Sequence, residues 1–162
     1  MSAFDAAVFR ATMSQFCTGV VVATGAQDNE PAGFAAQSFV SLSMDPPLVA
    51  LCPGKQSSSW PRIRDSGAFC INILGADQQD VCATFARSGG DKFAELEWRA
   101  GDSGSPILAG VIAYVDCELE AEHDAGDHTI AIGRVRDLAI LDDDRGPLLF
   151  FRGRYGDFSV SP

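Results

Sequence analysis

The feature that most constrains this chain is a close succession of β-branched runs, which begins at Thr18 and is interrupted at short intervals by turn residues. The runs T-G-V-V-V-A-T, A-G-F-A-A-Q-S-F-V-S-L-S and P-P-L-V-A-L-C are separated by turn signals at Asp28-Asn29 and Asp45-Pro46-Pro47. A parallel pair of strands needs a crossover of about a dozen residues or more, which these connections do not supply. The first third of the chain therefore predicts strands that pair antiparallel.

Further strand candidates continue toward the C-terminal end. Ala68 to Leu74 is one, P-L-L-F-F-R-G-R-Y is another, and two long runs flank the sequence H-D-A-G-D-H. The first long run alternates between an apolar and an acidic set of residues, namely Cys117, Leu119 and Ala121 against Asp116, Glu118 and Glu120. Such alternation is typical of a sheet with one face in water. Because closure removes exposed strand edges, the many short strands predict a closed or nearly closed antiparallel barrel.

Three other segments have a helical pattern. Near the N-terminus, with Ser2 as the predicted N-cap, one helical face carries Phe4, Val8, Phe9, Thr12, Met13 and Phe16. The segment after S-S-S predicts a short helix that ends at Gly67, and Asp77 to Arg87 predicts a third helix. A chain of 162 residues is long enough for one sizeable core, so we expect a single, mainly β domain over residues 1–162.

The charge balance restricts the partners of the chain. A formal net charge of -10 repels phosphodiester backbones and anionic lipid headgroups, so we expect no nucleic acid and no membrane partner. An anionic ligand needs a local concentration of cations, and lysine occurs only at Lys55 and Lys92. The N-terminal segment lacks the uninterrupted apolar run of a secretory signal. Five cysteines without a C-x-x-C pair predict free thiols and a cytoplasmic protein.

Several common catalytic motifs do not occur in the sequence. There is no G-x-G-x-x-G after a strand, no G-x-x-x-x-G-K-[ST] and no G-x-S-x-G, so a Rossmann fold, a phosphate loop and a nucleophile elbow lose their main support. A metal site is conceivable at His123 and His128, with Asp124 and Asp127 between them. However, D-A-G-D is typical of a turn between two strands, and we expect no metal ion.

Two neighbouring segments have the chemistry of a ligand site. P-G-K-Q-S-S-S-W-P places Lys55 and three hydroxyls at the start of a helix, where an anionic phosphate could bind; the alternative is an ordinary helix cap with additional serines. In the strand upstream, Ala35, Ala36 and Ser38 are small enough for a flat ring to approach the backbone. The alternative for this strand is tight packing inside the barrel.

Taken together and in this order, the motifs resemble the flavin reductase-like family of FMN-binding split barrels. The resemblance rests on G-F-A-A-Q-S-F-V-S-L-S-M-D-P-P-L-V-A-L-C-P followed by K-x-S-x-S-W, and it continues through F-C-I-N-I-L, D-K-F, S-P-I-L, G-D-H-T-I-A-I-G-R-V and L-L-F-F-R-G-R-Y. It implies a six-stranded antiparallel Greek-key split barrel with short flanking helices, assembled as a homodimer with flavin in a groove near the subunit interface. The chain is similar in particular to the reductase components of two-component flavin-dependent monooxygenases.

The resemblance also implies roles for individual residues. The flavin ring would contact Ala36, Gln37, Ser38, Ser41 and Cys52. The ribityl-phosphate arm would lie along Lys55, Ser57, Ser59 and Trp60, with Phe85 and Phe93 closing the site. The nicotinamide would meet His128 and Tyr155. Many relatives have Asn where this chain has Gln37, and some have a longer C-terminal tail.

The implied reaction transfers a hydride from NADH, or alternatively NADPH, to FMN or FAD, and the reduced flavin passes to a partner oxygenase. Hydride transfer requires close stacking of the two rings and no side-chain nucleophile. We therefore expect no catalytic side chain, and we expect His128 to orient the dinucleotide. One alternative is a flavin-binding electron carrier without significant nicotinamide activity. The other is the pyridoxamine-phosphate-oxidase branch of the same architecture, which G-D-H and R-G-R-Y disfavour.

Overall fold

The computed structural model describes residues 4–161, in which three helices accompany twelve strands. In chain order the elements are α1 (Ala6–Met13), β1 (Thr18–Gly19), β2 (Val21–Gln27), β3 (Glu30–Ala36), β4 (Val40–Met44), β5 (Pro47–Leu51), α2 (Trp60–Ser66), β6 (Ala68–Ile73), α3 (Gln79–Ala86), β7 (Trp98–Ala100), β8 (Pro106–Leu108), β9 (Ala113–Ala125), β10 (His128–Ile140), β11 (Leu149–Phe151) and β12 (Arg154–Gly156). Asp28 and Asn29 adopt positive φ in the turn between β2 and β3, and Gly67 follows α2 with a φ of 79°. The predicted mainly β class, this turn and the end of α2 are therefore confirmed.

Seven strands form one antiparallel sheet in the order β3-β2-β6-β9-β10-β5-β4, and the other described strands form the small sheets β1-β11-β12 and β7-β8. The large sheet is not closed, because β3 and β4 are its edges. Yet only Gln37, Ser38 and Phe39 connect these two edge strands. Four Cα steps span at most about 14 Å, so the sheet must curl until its edges approach each other. This arrangement is the predicted split barrel.

The strand count differs from the six strands that the resemblance implies. The run A-G-F-A-A-Q-S-F-V-S-L-S, predicted as one strand, is divided into β3, which pairs with β2, and β4, which pairs with β5. No glycine or proline marks the division, so the sequence gives no turn signal there. The consequence is that Gln37 and Ser38 are exposed at the split of the barrel.

The core is arranged on both faces of the central strands β2 and β6. Val22 and Cys70 point to one face, where they pack with Phe85 of α3. Phe69 and Ile71 point to the other face, where they join a cluster that contains Trp60 and Ile63 of α2. Both helices also contact the edge strand β3. The start of α2 and the end of α3 are therefore positioned beside the split.

The prediction that Asp116 faces water on β9 is wrong. Its side chain is fully buried, because the loop Gly101–Ser105 folds over this end of the strand. The Ser103 backbone N–H and hydroxyl donate to the Asp116 carboxylate over 2.9 and 2.6 Å. The charge-assisted hydrogen bonds compensate for the burial of the carboxylate. The predicted alternation holds further along β9, where Glu118 and Glu120 are exposed.

The opening helix is amphipathic, as predicted, but its apolar face is not covered. No residue of α1 is buried, and Phe9 and Met13 are 55% and 53% exposed. The N-cap is Asp5, whose Oδ1 accepts a 2.6 Å hydrogen bond from the Ala7 N–H, whereas the predicted cap Ser2 lies outside the described residues. Within residues 4–161, no helix is both long and apolar enough to cross a membrane.

Candidate functional site

The split of the barrel collects four of the five residues predicted to contact a flat ring. Ala36 ends β3, and Gln37 and Ser38 follow it outside any strand. The Thr18 hydroxyl donates to Gln37 Oε1 over 3.0 Å, and the Cys52 backbone N–H donates to Ser38 Oγ over 2.9 Å. These bonds hold residues 37–39, which we call the crossing segment, against β1 on one side and the end of β5 on the other. The remaining ring residue, Ser41, lies further along β4, where it is exposed and pairs with Val49.

A cavity of about 230 Å³ lies beside the split, between the loop before α2 and the end of α3. We call it the cationic cavity, because Arg87 and Lys92 contribute to its wall. Its lining residues are Phe34, Ala35, Gln56, Ser57, Ser58, Ser59, Phe85, Ala86, Arg87, Ser88 and Lys92. Two cations and four hydroxyls around one small volume are suited to bind a phosphate group. Ala35 of the cavity wall directly precedes Ala36 of the split.

Lys92 is held in place by the backbone of two elements. Its ammonium donates to Gly33 O over 3.1 Å and to Phe85 O over 3.4 Å, which connects the segment after α3 to β3. Burial and, to a smaller extent, the nearby charge of Arg87 lower the pKa of Lys92. The Lys92 ammonium is therefore a partly desolvated positive charge that forms no ion pair with any carboxylate of residues 4–161. A bound phosphate would supply an anionic partner.

Lys55, the predicted phosphate contact, has a different neighbour in the structure. Its ammonium forms an ion pair with Asp124, and its backbone N–H donates to Asp127 O over 2.9 Å. It therefore binds the tip of the β9–β10 hairpin and does not line the cationic cavity. The phosphate role of Lys55 stays a prediction, and the geometry favours Lys92 for that role.

The other residues predicted along the phosphate arm divide between the cavity and the core. Ser57 and Ser59 line the cationic cavity, and Ser57 Oγ also accepts a hydrogen bond from the Trp60 backbone N–H. Trp60 is buried, and its Nε1 donates to Glu122 over 2.9 Å. Phe85 and Phe93 are buried with ring centroids 5.1 Å apart, and Phe85 also reaches the cavity wall. Trp60 and Phe93 thus support the cationic cavity from the core.

His128 opens β10, as predicted, and lies close to the loop that follows β5. Its Nδ1 is 2.7 Å from Asp127 Oδ1, and its Nε2 would be 3.7 Å from a Cβ placed on Gly54. Hydrogen bonding to His128, together with its charge, lowers the pKa of Asp127. Because Asp127 engages Nδ1, Nε2 is the ring nitrogen that remains available to a ligand. The His128 side chain is half exposed, so a ligand can reach it.

Tyr155, the second predicted nicotinamide contact, has other neighbours than His128. Its hydroxyl lies 3.4 Å from Cys82 Sγ on α3, and its ring packs edge-on against Phe150. The hydrogen bond with Cys82 and burial raise the pKa of Tyr155 to about 12. The structure therefore places Tyr155 at the side of α3 and His128 at the β9–β10 hairpin.

The metal alternative at the β9–β10 hairpin receives no geometric support. His123 is exposed on β9 and pairs across the hairpin with Ile130. Across residues 4–161, no three His, Cys, Asp or Glu side chains form a group that could hold a metal ion.

Outside the segment K-Q-S-S-S-W, sequence reasoning missed three polar residues of the cationic cavity, namely Arg87, Ser88 and Lys92. A signal for Lys92 was present, because the D-K-F motif that carries Phe93 also contains one of the two lysines of the chain. Arg87 and Ser88 carry no such signal. They become part of the site only because α3 ends beside β3.

A split antiparallel barrel with a cationic cavity beside an open crossing segment is suited to a phosphate-bearing ligand with a flat ring. The Flavin reductase like domain matches residues 13–159, and the chain belongs to this family. The reductase subunit HsaB of a flavin-dependent monooxygenase from Rhodococcus jostii (strain RHA1) is 50% identical over 153 residues, which are 94% of this chain and 78% of that protein. A flavin reductase of Pseudomonas putida is 46% identical over 160 residues, which are 98% and 94% of the two chains. The solved structure of the NADH:FAD oxidoreductase SgcE6 from Streptomyces globisporus C-1027 has a TM-score of 0.91 at 34% identity, covering 99% of this chain and 97% of that one.

Proposed function

We propose that this protein is an NADH-dependent flavin reductase, which transfers a hydride from NADH to FMN or FAD and supplies the reduced flavin to a partner monooxygenase. One observation carries the proposal: Ala35 lines the cationic cavity while Ala36 lies at the open split. Ala35 and Ala36 point to opposite faces of β3, but β3 is an edge strand, so a ligand with its ring at the split would reach the cavity with its phosphate around that edge. The names of the similar proteins agree with this reaction.

Different residues of the site would bind the flavin and orient the nicotinamide. Ala35 and Ala36 are small enough for a ring to approach the backbone, and Gln37 and Ser38 offer polar atoms to its edge. Arg87 and Lys92 would bind the phosphate, and His128 would orient the nicotinamide. The flavin itself supplies the hydride acceptor. No side chain has to act as a nucleophile, so the site needs only alignment and an open face for exchange.

The test of this function is consumption of NADH by the purified protein with added FMN. We expect oxidation that depends on flavin and that EDTA leaves unchanged, with a flavin-free reaction as the control. An electron carrier without nicotinamide activity would bind FMN but fail to consume NADH above the control. Inhibition by EDTA that zinc or iron reverses would restore the metal alternative at His123 and His128.

We also propose a homodimer. The apolar face of α1 is uncovered in the single chain, since Val8, Phe9 and Met13, together with Phe16 just after the helix, are each more than half exposed. A contiguous apolar face of this kind marks an interaction surface, and the same face of a second copy of the chain would cover it. We further propose that the protein is cytoplasmic, because its five cysteines are free and free thiols persist in reducing compartments.

Light scattering at micromolar concentration is expected to give the mass of a dimer. Phe9→Asp should shift the mass toward that of a monomer, because it places a charge in the apolar face. Ala7→Asp introduces the same charge on the opposite side of the helix and should leave the dimer intact. A monomeric mass for the unaltered protein, or equal dissociation by both variants, would contradict the proposed interface.

A further inference from the structure

A second cavity adjoins the cationic cavity and shares part of its wall. We call it the outer cavity. It has a volume of about 670 Å³, and Ser58, Ser59 and Lys92 line both spaces. Its own wall includes Arg62 on α2 and the Gly89-Gly90 turn after α3. Known sites for small ligands have volumes of roughly 300 to 1,000 Å³, so the outer cavity has the size of a site in its own right. The flavin phosphate proposed above would need only the smaller space.

Arg62 contributes to the outer cavity a positive charge that forms no ion pair within residues 4–161. Its guanidinium donates to Pro31 O over 3.3 Å. Four of the other nine arginines form ion pairs within residues 4–161, among them Arg64 with Asp65 and Arg134 with Glu120. A free guanidinium is suited to bind a phosphate through paired hydrogen bonds.

The wall of the outer cavity also contains two carboxylates. Glu30 and Asp91 line the outer cavity, and their carboxylates can accept hydrogen bonds from hydroxyl or amino groups. A ligand that fits this combination carries a phosphate together with several hydroxyl and amino donors. Adenosine 5′-phosphate has these groups and a suitable size.

We infer that the outer cavity binds the adenosine 5′-phosphate half of FAD, so that the protein prefers FAD over FMN. This inference rests on the proposed function, because the flavin phosphate must first occupy the cationic cavity. The shared residues Ser58, Ser59 and Lys92 would then contact the pyrophosphate that joins the two halves of FAD. Arg62 becomes the residue that determines the preference, since FMN does not extend to it.

Titration of flavin fluorescence with the full chain tests the inference. We expect FAD to bind roughly tenfold more tightly than FMN, the effect of about one charge-assisted hydrogen bond. Arg62→Ala should abolish this preference and leave FMN binding within about twofold of the unaltered protein. Arg64→Ala is the matched control on the same helix and should leave the preference unchanged. ADP should compete with FAD but not with riboflavin.

The outcomes separate this inference from the proposed function. Equal affinity for FAD and FMN in the unaltered protein, or an Arg62→Ala effect that is the same for both, would overturn the inference while the function stands. Competition of ADP with NADH instead of FAD would also overturn it, because the outer cavity would then serve the nicotinamide dinucleotide. Failure of both flavins to bind would overturn the function and the inference together.

Discussion

Replacing Lys92 by alanine is expected to weaken FMN binding by about 10- to 150-fold, the range for loss of a hydrogen bond from a charged group, and to leave riboflavin binding nearly unchanged. The Lys92 ammonium lies at the wall of the cationic cavity, and its charge has no anionic partner there. Riboflavin has the same ring but no phosphate. The difference between the two ligands therefore isolates the contribution of the phosphate.

Lys55→Ala is the matched control, because the chain contains only these two lysines. The Lys55 ammonium is engaged by Asp124, so this variant should change FMN affinity by less than about twofold. A larger FMN-specific effect at Lys55 than at Lys92 would return the phosphate to its sequence-predicted position. Equal weakening of FMN and riboflavin by Lys92→Ala would show that its bonds to Gly33 O and Phe85 O maintain the site.

The pH dependence of FMN binding should also reveal the contribution of the Lys92 charge. An ordinary lysine has a pKa of about 10.4, and burial lowers the pKa of Lys92. A cation with a lowered pKa loses its charge at a lower pH than usual. FMN affinity should therefore decline on the alkaline side before an ordinary lysine titrates. Riboflavin affinity should not follow this decline, nor should FMN affinity in Lys92→Ala.

Replacing His128 by alanine is expected to raise the KM for NADH by about tenfold or more while kcat falls by less than about threefold. The half-exposed ring presents Nε2 beside Gly54, and Asp127 engages Nδ1. Such a ring can bind and orient the dinucleotide, whereas hydride transfer itself needs no proton from a side chain. Loss of His128 should thus remove binding energy that the ground state and the transition state share.

Asp127→Asn tests whether the carboxylate positions the ring. The pKa of Asp127 is lowered by its hydrogen bond with His128, so the carboxylate remains ionised to a lower pH than usual and stays available to orient the imidazole at neutral pH. The variant should raise the KM for NADH in the same direction but less than His128→Ala. His123→Ala, at an exposed position on the same hairpin, should leave both constants unchanged. A large loss of kcat at unchanged KM in His128→Ala would instead indicate participation in the chemical step.

Local patterns predicted the elements of this fold well. Alternating runs gave the long strands β9 and β10, and His128 was placed correctly at the start of β10. Turn chemistry at Asp28 and Asn29, and the glycine after α2, marked boundaries that the structure confirms. In each case the physical cause lies within a few residues of the position it determines.

The incorrect or incomplete predictions share a different cause, which is a partner distant in the sequence. Asp116 is buried because the loop around Ser103 covers it, and Lys55 is engaged because the β9–β10 hairpin returns to it. Lys92 reaches the cationic cavity because its ammonium bonds to Gly33, 59 residues away. Neither residue spacing nor composition predicts these contacts, since they form only after the sheet has curled.

The placement of Arg62, Arg87 and Lys92 around adjoining cavities of a chain with net charge -10 also bears on the speed of flavin exchange. At long range an anionic flavin is repelled by the protein, and within a Debye length of about 8 Å at physiological ionic strength the local cations attract it. Added salt screens the outer repulsion and weakens the inner attraction. Association and dissociation should therefore both accelerate with ionic strength, so that the residence time of the flavin shortens without a matching loss in the rate of capture.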